Sequence, residues 1–183
     1  MPGQFIMVRI SSHPYPLLRR PFSIHAQDGK NIDIFFKKTG VGTSLLSEKK
    51  RDDFLDILGP LGTGFRLETK SAQKEVAVIG GGRGIAPLYF LAQRLRFQGS
   101  SAKIFYGGKT HADLPLKKRI ETDGFELLCS TDDGSLDFHG LITELFNAEM
   151  SKFSPEYIYA CGPEPMLREL AQIALDKKIP AEF

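Results

Sequence analysis

The sequence predicts a truncated antiparallel β-barrel followed by a doubly wound parallel α/β sheet, an all-β part over residues 1–70 and an α/β part over 71–183. Three observations carry that expectation. Before Ser71, short β-type runs alternate with Gly, Pro and Asp turns, the spacing of an antiparallel barrel or sandwich. After it, strand-like and helix-like patterns alternate four times, as in a parallel sheet. Between the first of these strands and its helix stand four glycines in five residues (Gly80, Gly81, Gly82 and Gly84), followed by Pro87.

The β-rich part offers strands at Phe5–Ile10, Arg20–Ala26, Ile32–Lys37 and Phe54–Leu58. Four strands are few to close a barrel, and Met1-Pro2-Gly3-Gln4-Phe5 opens on a turn, so an N-terminal piece is expected to be absent. On the second strand, Arg20, Phe22 and Ser23 bring a guanidinium, a ring and a hydroxyl together. They either meet one ligand or serve as a rim arginine, a core ring and a surface serine. Thr39-Gly40-Val41-Gly42-Thr43-Ser44 places two glycines at the start of a short helix. Its free N–H groups suit a pyrophosphate, and an ordinary hydroxyl cap explains the pattern equally well. Leu58-Gly59-Pro60-Leu61-Gly62 reads as a rigid structural turn.

In the α/β part, Val76–Ile79 is a continuous apolar run, as in a strand buried on both faces. The glycines that follow, with Pro87 in the first turn of a helix, let backbone N–H groups approach a phosphate. Further strands are expected at Ala102–Tyr106, Phe125–Ser130 and Tyr157–Cys161, with helices at Leu114–Thr122, Leu141–Met150 and Glu164–Lys178. In such sheets ligands bind at the carboxyl ends of the strands. Those ends carry Gly80–Gly84, Gly107-Gly108, Thr131-Asp132-Asp133-Gly134 and Cys161-Gly162-Pro163.

Composition removes several function classes. With 24 Lys+Arg against 22 Asp+Glu the net charge is +2, and no basic block is interleaved with aromatics, so no nucleic-acid partner is expected. No apolar run reaches the length of a membrane span and the N-terminus lacks a signal-peptide pattern. Two well-separated cysteines, Cys129 and Cys161, fit a reducing cytoplasm. His13, His25, His111 and His139 show no ligand spacing, so no metal site is expected. Gly107-Gly108-Lys109-Thr110 ends like a P-loop, but its first glycine would fall at Lys103.

Taken together, these motifs resemble the ferredoxin–NADP⁺ reductase superfamily, a flavin-binding barrel followed by a nicotinamide-binding α/β domain. Arg20-Pro21-Phe22-Ser23 is similar to its flavin motif and Gly40-x-Gly42-Thr43 to its pyrophosphate loop. Gly80-Gly81-Gly82-x-Gly84-x-x-Pro87 is similar to its NAD(P) loop, and Cys161-Gly162-Pro163-x-x-Met166 to its C-G-P-x-x-M motif. Pro2-Gly3-Gln4-Phe5, Leu18-Arg19-Arg20-Pro21 and Leu58-Gly59-Pro60-Leu61-Gly62 resemble the electron-transfer subunit of dihydroorotate dehydrogenase type B.

The resemblance implies an FAD-dependent NAD(P)H oxidoreductase, NADH favoured, that passes electrons to a catalytic dehydrogenase subunit or a ferredoxin-like acceptor. Similar subunits serve sulfide dehydrogenases, hydrogenases and NADH-dependent ferredoxin oxidoreductases. A nucleotide-responsive binding subunit without turnover is the alternative. By position, Arg20 would pair with the FAD pyrophosphate, Phe22 would pack on the flavin or ribityl, Ser23 would bond near flavin N5, and Gly42 with Thr43 would hold the phosphates. Gly82 and Gly84 would admit the NAD(P) pyrophosphate, Asp132 would line the nucleotide cleft, and Cys161 would lie near the nicotinamide. Phe22 lacks the hydroxyl of a tyrosine, and Arg83 is a cation where small residues are usual. Intact relatives continue into a four-cysteine [2Fe-2S] segment, which would begin near Pro180-Ala181-Glu182-Phe183. This chain is therefore expected to be a fragment or a form without the cluster.

Overall fold

The structure, a computed structural model, describes residues 1–11, 15–67 and 75–183. The expected division at residue 70/71 and His13 lie outside the described residues. The first sheet is antiparallel and four-stranded: β1 (Phe5–Arg9), β2 (Arg20–Asp28), β3 (Asn31–Ile34) and β4 (Asp56–Leu61), in the order β3-β2-β1-β4. Between β2 and β3, Gly29 and Lys30 form a two-residue loop, Gly29 at φ +55°. A single short helix, α1 (Val41–Ser47), lies between β3 and β4. Ile6, Val8, Ile10, Phe22, Ile24 and Leu46 fill the barrel, joined by Phe90 from beyond it.

Six parallel strands make the second sheet: β5 (Glu75–Gly81), β6 (Ser101–Gly108), β7 (Glu126–Thr131), β8 (Phe138–His139), β9 (Tyr157–Cys161) and β10 (Ala181–Glu182). Their order is β10-β9-β5-β6-β7-β8. Alternation along the buried strands divides the core by face. Val76, Val78, Ile104 and Tyr106 pack with α2 (Ile85–Phe97) and α3 (Lys117–Thr122). Ala77, Ile79, Phe105, Ile158 and Ala160 pack with α4 (Ile142–Glu149) and α5 (Glu164–Lys177). The chain turns outward from β5 in one direction through β6 and β7, then in the other through β9. The switch point thus falls between Gly80 of β5 and Cys161 of β9, which are register partners. A crevice for a ligand is expected at this place.

Helix α2 is buried on nearly every side, from Ile85 to Ala92 without interruption. Such a helix must be covered twice, and here the second cover is the barrel. His25 of β2 is 6% exposed; its Nδ1 donates to the Ala86 carbonyl at 2.9 Å, and its ring stacks on Tyr89 with centroids 4.8 Å apart. On the far side of the seam, Tyr159 Oη donates to the Arg66 carbonyl (2.7 Å) and Arg66 N–H donates to Glu182 (3.0 Å).

Several boundaries differ from the sequence expectation. β4 runs through Gly59–Pro60, where a turn is expected; the pairing with β1 shifts register there, and a bulge on an edge strand tolerates a proline. Leu114-Pro115-Leu116 precedes α3 and does not belong to it. β8 and β10 are unforeseen, because two residues carry no readable alternation.

Candidate functional site

The carboxyl ends of β5, β6, β7 and β9 border a cleft of about 600 Å³. Its lining includes Gly81, Gly82, Asp132, Pro163 and Met166 among the residues singled out from sequence, together with Arg83, Gly108 and Lys109. Each glycine of the turn has a distinct use. A β-carbon on Gly80 would stand 2.8 Å from Ile85 Cδ1, and one on Gly81 would stand 2.8 Å from Met166 Sδ and Pro163 Cδ. One on Gly84 would collide with the carbonyl of Cys161. A β-carbon on Gly162 would lie 2.5 Å from Met166 Cε. These positions are closed by packing: the Gly80–Gly84 turn and the Cys161–Met166 loop interlock as one floor. Gly82 differs. It has φ +53° and nothing within 4 Å of where a side chain would begin, so its backbone is bare toward the cleft.

Pro87 lies buried in the first turn of α2, where its missing N–H breaks no helical bond. Asp132 is exposed at the end of β7, its N–H donating to the Gly108 carbonyl (3.0 Å). Cys161 is half-buried, and burial pushes its thiol above the ordinary range. It is therefore a neutral thiol at physiological pH, suited to apolar contact and not to attack as a thiolate. Cys129 is buried inside the sheet and pushed up to about 12.

Thr143 and Lys37, with its partner Asp113, are cleft residues that escaped sequence reasoning. Thr143 is 1% exposed, and its hydroxyl has no partner among the described residues. A buried hydroxyl left unpaired at a cleft is a hydrogen-bonding group available to a ligand. Lys37 arrives from the barrel and lies 3.5 Å from Asp113 of the sheet domain, both at the cleft. No motif surrounds either residue.

The second constellation sits on the barrel. Arg20 folds against the start of α1, so that a β-carbon on Gly42 would lie 3.3 Å from Arg20 Nε. The structure thus brings together a guanidinium and a helix N-terminus that are some twenty residues apart in sequence. Arg20 Nη1 also donates to the Leu18 carbonyl. Thr43 Oγ1 accepts the N–H groups of Thr39 (2.9 Å) and Gly40 (3.1 Å). The first helical bond runs from Ser44 N–H to Gly40 (2.9 Å). The amides of Val41, Gly42 and Thr43 precede that bond and have no intrahelical partner. Gly40 itself is unobstructed.

Phe22 and Ser23 project to opposite sides of β2. Phe22, 9% exposed, packs in the barrel core edge-on to Phe36 (5.6 Å). Ser23 is half-buried. Pro21 is exposed.

The residues present fit two nucleotide cofactors: Arg20 with the α1 amides offers one anion cradle, and bare Gly82 with the cleft offers another. They do not fit a [2Fe-2S] cluster, since two cysteines, one deep in the sheet, cannot supply four ligands. No helix among the described residues is long and apolar enough to cross a membrane.

Comparison with known proteins agrees with this geometry. Residues 78–172 match the oxidoreductase NAD-binding domain family. The dihydroorotate dehydrogenase B (NAD⁺) electron transfer subunit of Geobacillus sp. (strain WCH70) is 37% identical over 180 residues, 97% of this chain and 69% of that protein. Its counterpart from Geobacillus kaustophilus is 40% identical over 173 residues, covering 93% and 66%. The chain thus spans about two thirds of the length of these curated relatives. Among solved structures, an NADH-dependent reduced ferredoxin–NADP oxidoreductase superposes with a TM-score of 0.83 at 27% identity, over 98% of this chain and 64% of that one. The fold and the order of its nucleotide loops agree with these matches: the chain belongs to the ferredoxin–NADP⁺ reductase superfamily of flavin-dependent NAD(P)H oxidoreductases, together with the electron transfer subunits of dihydroorotate dehydrogenase B.

Proposed function

We propose that this chain is the FAD- and NAD(H)-binding part of an electron-transfer subunit that serves a catalytic dehydrogenase partner in the cytoplasm, with dihydroorotate dehydrogenase as the first candidate. In this reading residues 1–70 hold FAD and residues 71–183 hold the nicotinamide nucleotide. One observation carries it: β2, which bears Arg20–Ser23, packs directly on α2, which begins at the Gly80–Gly84 turn, through the 2.9 Å bond from His25 to Ala86. In this reading the two nucleotide loops open on one seam.

Bound there, a flavin supplies acceptance of a hydride from a nicotinamide and delivery of single electrons onward. The chain's residues supply position and polarity. Arg20 and the amides of Val41, Gly42 and Thr43 neutralise phosphate charge. Bare Gly82 would admit a pyrophosphate close to backbone, and Asp132 would line the nucleotide cleft. Cys161, held neutral by burial, offers an apolar surface beside the Gly84 turn without drawing a proton. Ser23, half-buried, is the one hydroxyl of the motif and would orient a flavin edge.

Reconstitution with FAD and anaerobic mixing with NADH tests the reading: bleaching of the bound flavin is expected, and a chain that binds FAD yet never bleaches would defeat it. Ser23→Ala should slow that bleaching by up to about tenfold, the upper scale of one lost neutral hydrogen bond, with FAD content unchanged. An unaltered rate would remove Ser23 from the reacting edge.

A further inference from the structure

The connection between barrel and sheet is gripped at two successive residues, one from each side. Up to Phe65 the barrel holds it: Gln4 Nε2 donates to the Gly62 carbonyl (3.1 Å), and the Phe65 N–H donates to the Pro2 carbonyl (2.9 Å). The next residue is held by the sheet. The Arg66 N–H donates to Glu182 Oε2 (3.0 Å), and the Arg66 carbonyl accepts the Tyr159 hydroxyl (2.7 Å). Glu182 Oε1 meanwhile accepts the hydroxyl of Tyr157 (3.0 Å), whose ring lies 4.6 Å from that of Tyr159. One half-buried carboxylate thus locks the connection onto two buried aromatic side chains of β9. β10 pairs with β9 through its own parallel ladder, which does not require this side chain. With its N–H and its C=O both taken by fixed side chains, Arg66 has no backbone group left to turn elsewhere.

From this we infer that Glu182 is a positioning residue for hydride transfer, which fixes the angle between barrel and sheet from outside both nucleotide loops. The seam is also fastened through the His25 bond to Ala86 and the stack of His25 on Tyr89. Two bodies joined at one place rotate about it; joined at two, they swing about neither. Releasing Arg66 leaves the His25 contact as a pivot. Hydride transfer needs donor and acceptor atoms about 3–3.5 Å apart, and a misplacement of about 1 Å costs up to about a hundredfold. Each nucleotide loop lies within one domain, so affinity survives a change of angle that the rate does not. This inference rests on the proposed function, because it takes barrel and sheet to hold the two reacting cofactors.

Two measurements test it. In the chain free of cofactor, amide hydrogen exchange at Arg66 should be at least about tenfold faster in Glu182→Ala than in the unaltered protein, while the amides of β5 and β6 stay protected. In the FAD-reconstituted chain, the limiting rate of flavin bleaching at saturating NADH should fall about tenfold in Glu182→Ala, with the NADH dissociation constant changed less than about twofold. Glu182→Gln should recover most of that rate, since its amide accepts from Arg66 through oxygen and donates to the Tyr157 hydroxyl through nitrogen. Tyr159→Phe removes the other half of the grip and keeps the ring; it should show the same split at about threefold, the scale of one hydrogen bond. That variant decides the question if Glu182→Ala folds poorly. A carboxylate that merely steadies β10 predicts lower stability with an unaltered limiting rate, and that result overturns the inference. So does a loss of NADH affinity as large as the loss of rate, and so does equal exchange at Arg66 in both proteins. An unaltered protein that never bleaches would instead defeat the functional reading beneath it, and exchange at Arg66 would still report whether the grip exists.

Discussion

The two glycine turns of this chain look alike in sequence and are used in opposite ways. In the Gly80–Gly84 turn, three of the four glycines are occupied by neighbours: Ile85 closes over Gly80, Met166 and Pro163 over Gly81, and the Cys161 carbonyl over Gly84. In the turn that starts α1, a β-carbon on Gly40 would meet nothing, and one on Gly42 would meet the flexible Arg20 and Ile10. The first turn is a piece of core that leaves one backbone position bare. The second is an exposed helix start with a cation laid against it. A glycine count therefore measures how tightly loops interlock as much as how near a phosphate can come.

Substitutions that add one methyl separate these uses. The largest effect is expected at Gly84: in Gly84→Ala the new atom meets backbone that cannot swing aside, and overpacking of this kind costs about 1–3 kcal/mol. Chemical denaturation should register the loss, and an unaltered midpoint would mean that the two loops are not interlocked. Gly82→Ala has room but must hold φ +53°, at about 1–2 kcal/mol. Its signature is a disproportionate fall in NADH affinity in protein that remains folded. Were stability alone to fall, Gly82 would be a turn residue and nothing more. Gly42→Ala comes next: its methyl presses at 3.3 Å on Arg20, so FAD affinity should fall severalfold with a stability change below about 1 kcal/mol. Gly40→Ala, extended and unobstructed, should change neither by more than about 0.5 kcal/mol, and serves as the control.

The smallest effect concerns the seam between the two turns. Burial, partly offset by the Ala86 carbonyl, lowers the pKa of His25; Arg119 of α3 lowers it further, and Asp33 of β3 raises it. The neutral ring is thus favoured in the folded protein, and the unfolded chain binds the proton more readily. Stability is at its full value above the unfolded pKa of about 6.5 and declines as pH falls through it toward the folded value. Urea midpoints at pH 7.5 and 5.5 measure the slope, using about one unit on either side of that reference. His25→Phe should reduce it, and an equal slope in both proteins would place the titrating group elsewhere.

The parallel sheet was legible because its strands are buried on both faces and its helices are punctuated by Pro87, Gly99 and Gly124. The short edge strands were not, since Phe138–His139 and Ala181–Glu182 form only because a longer neighbour offers free N–H and C=O groups. At the site, motif residues were readable wherever chemistry and chain geometry coincide locally, as in Gly80–Gly84. The contact of Arg20 with Gly42 could be expected from resemblance alone. Lys37, Asp113 and Thr143 left no signal, because single residues of separate elements come together only in the folded chain. The sequence brings Arg20, Phe22 and Ser23 together near one ligand or leaves Phe22 as a core ring; in the structure Phe22 packs on Phe36 inside the barrel, on the opposite side of the strand from Ser23.

The interlock of Gly84 with Cys161 bears on redesign. Because the base of the cavity is welded from two strand ends, it has no slack with which to accommodate a different cofactor. Side chains are better exchanged at the exposed rim, at Lys37, Lys109 and Asp132, while Gly81, Gly84 and Gly162 are left untouched.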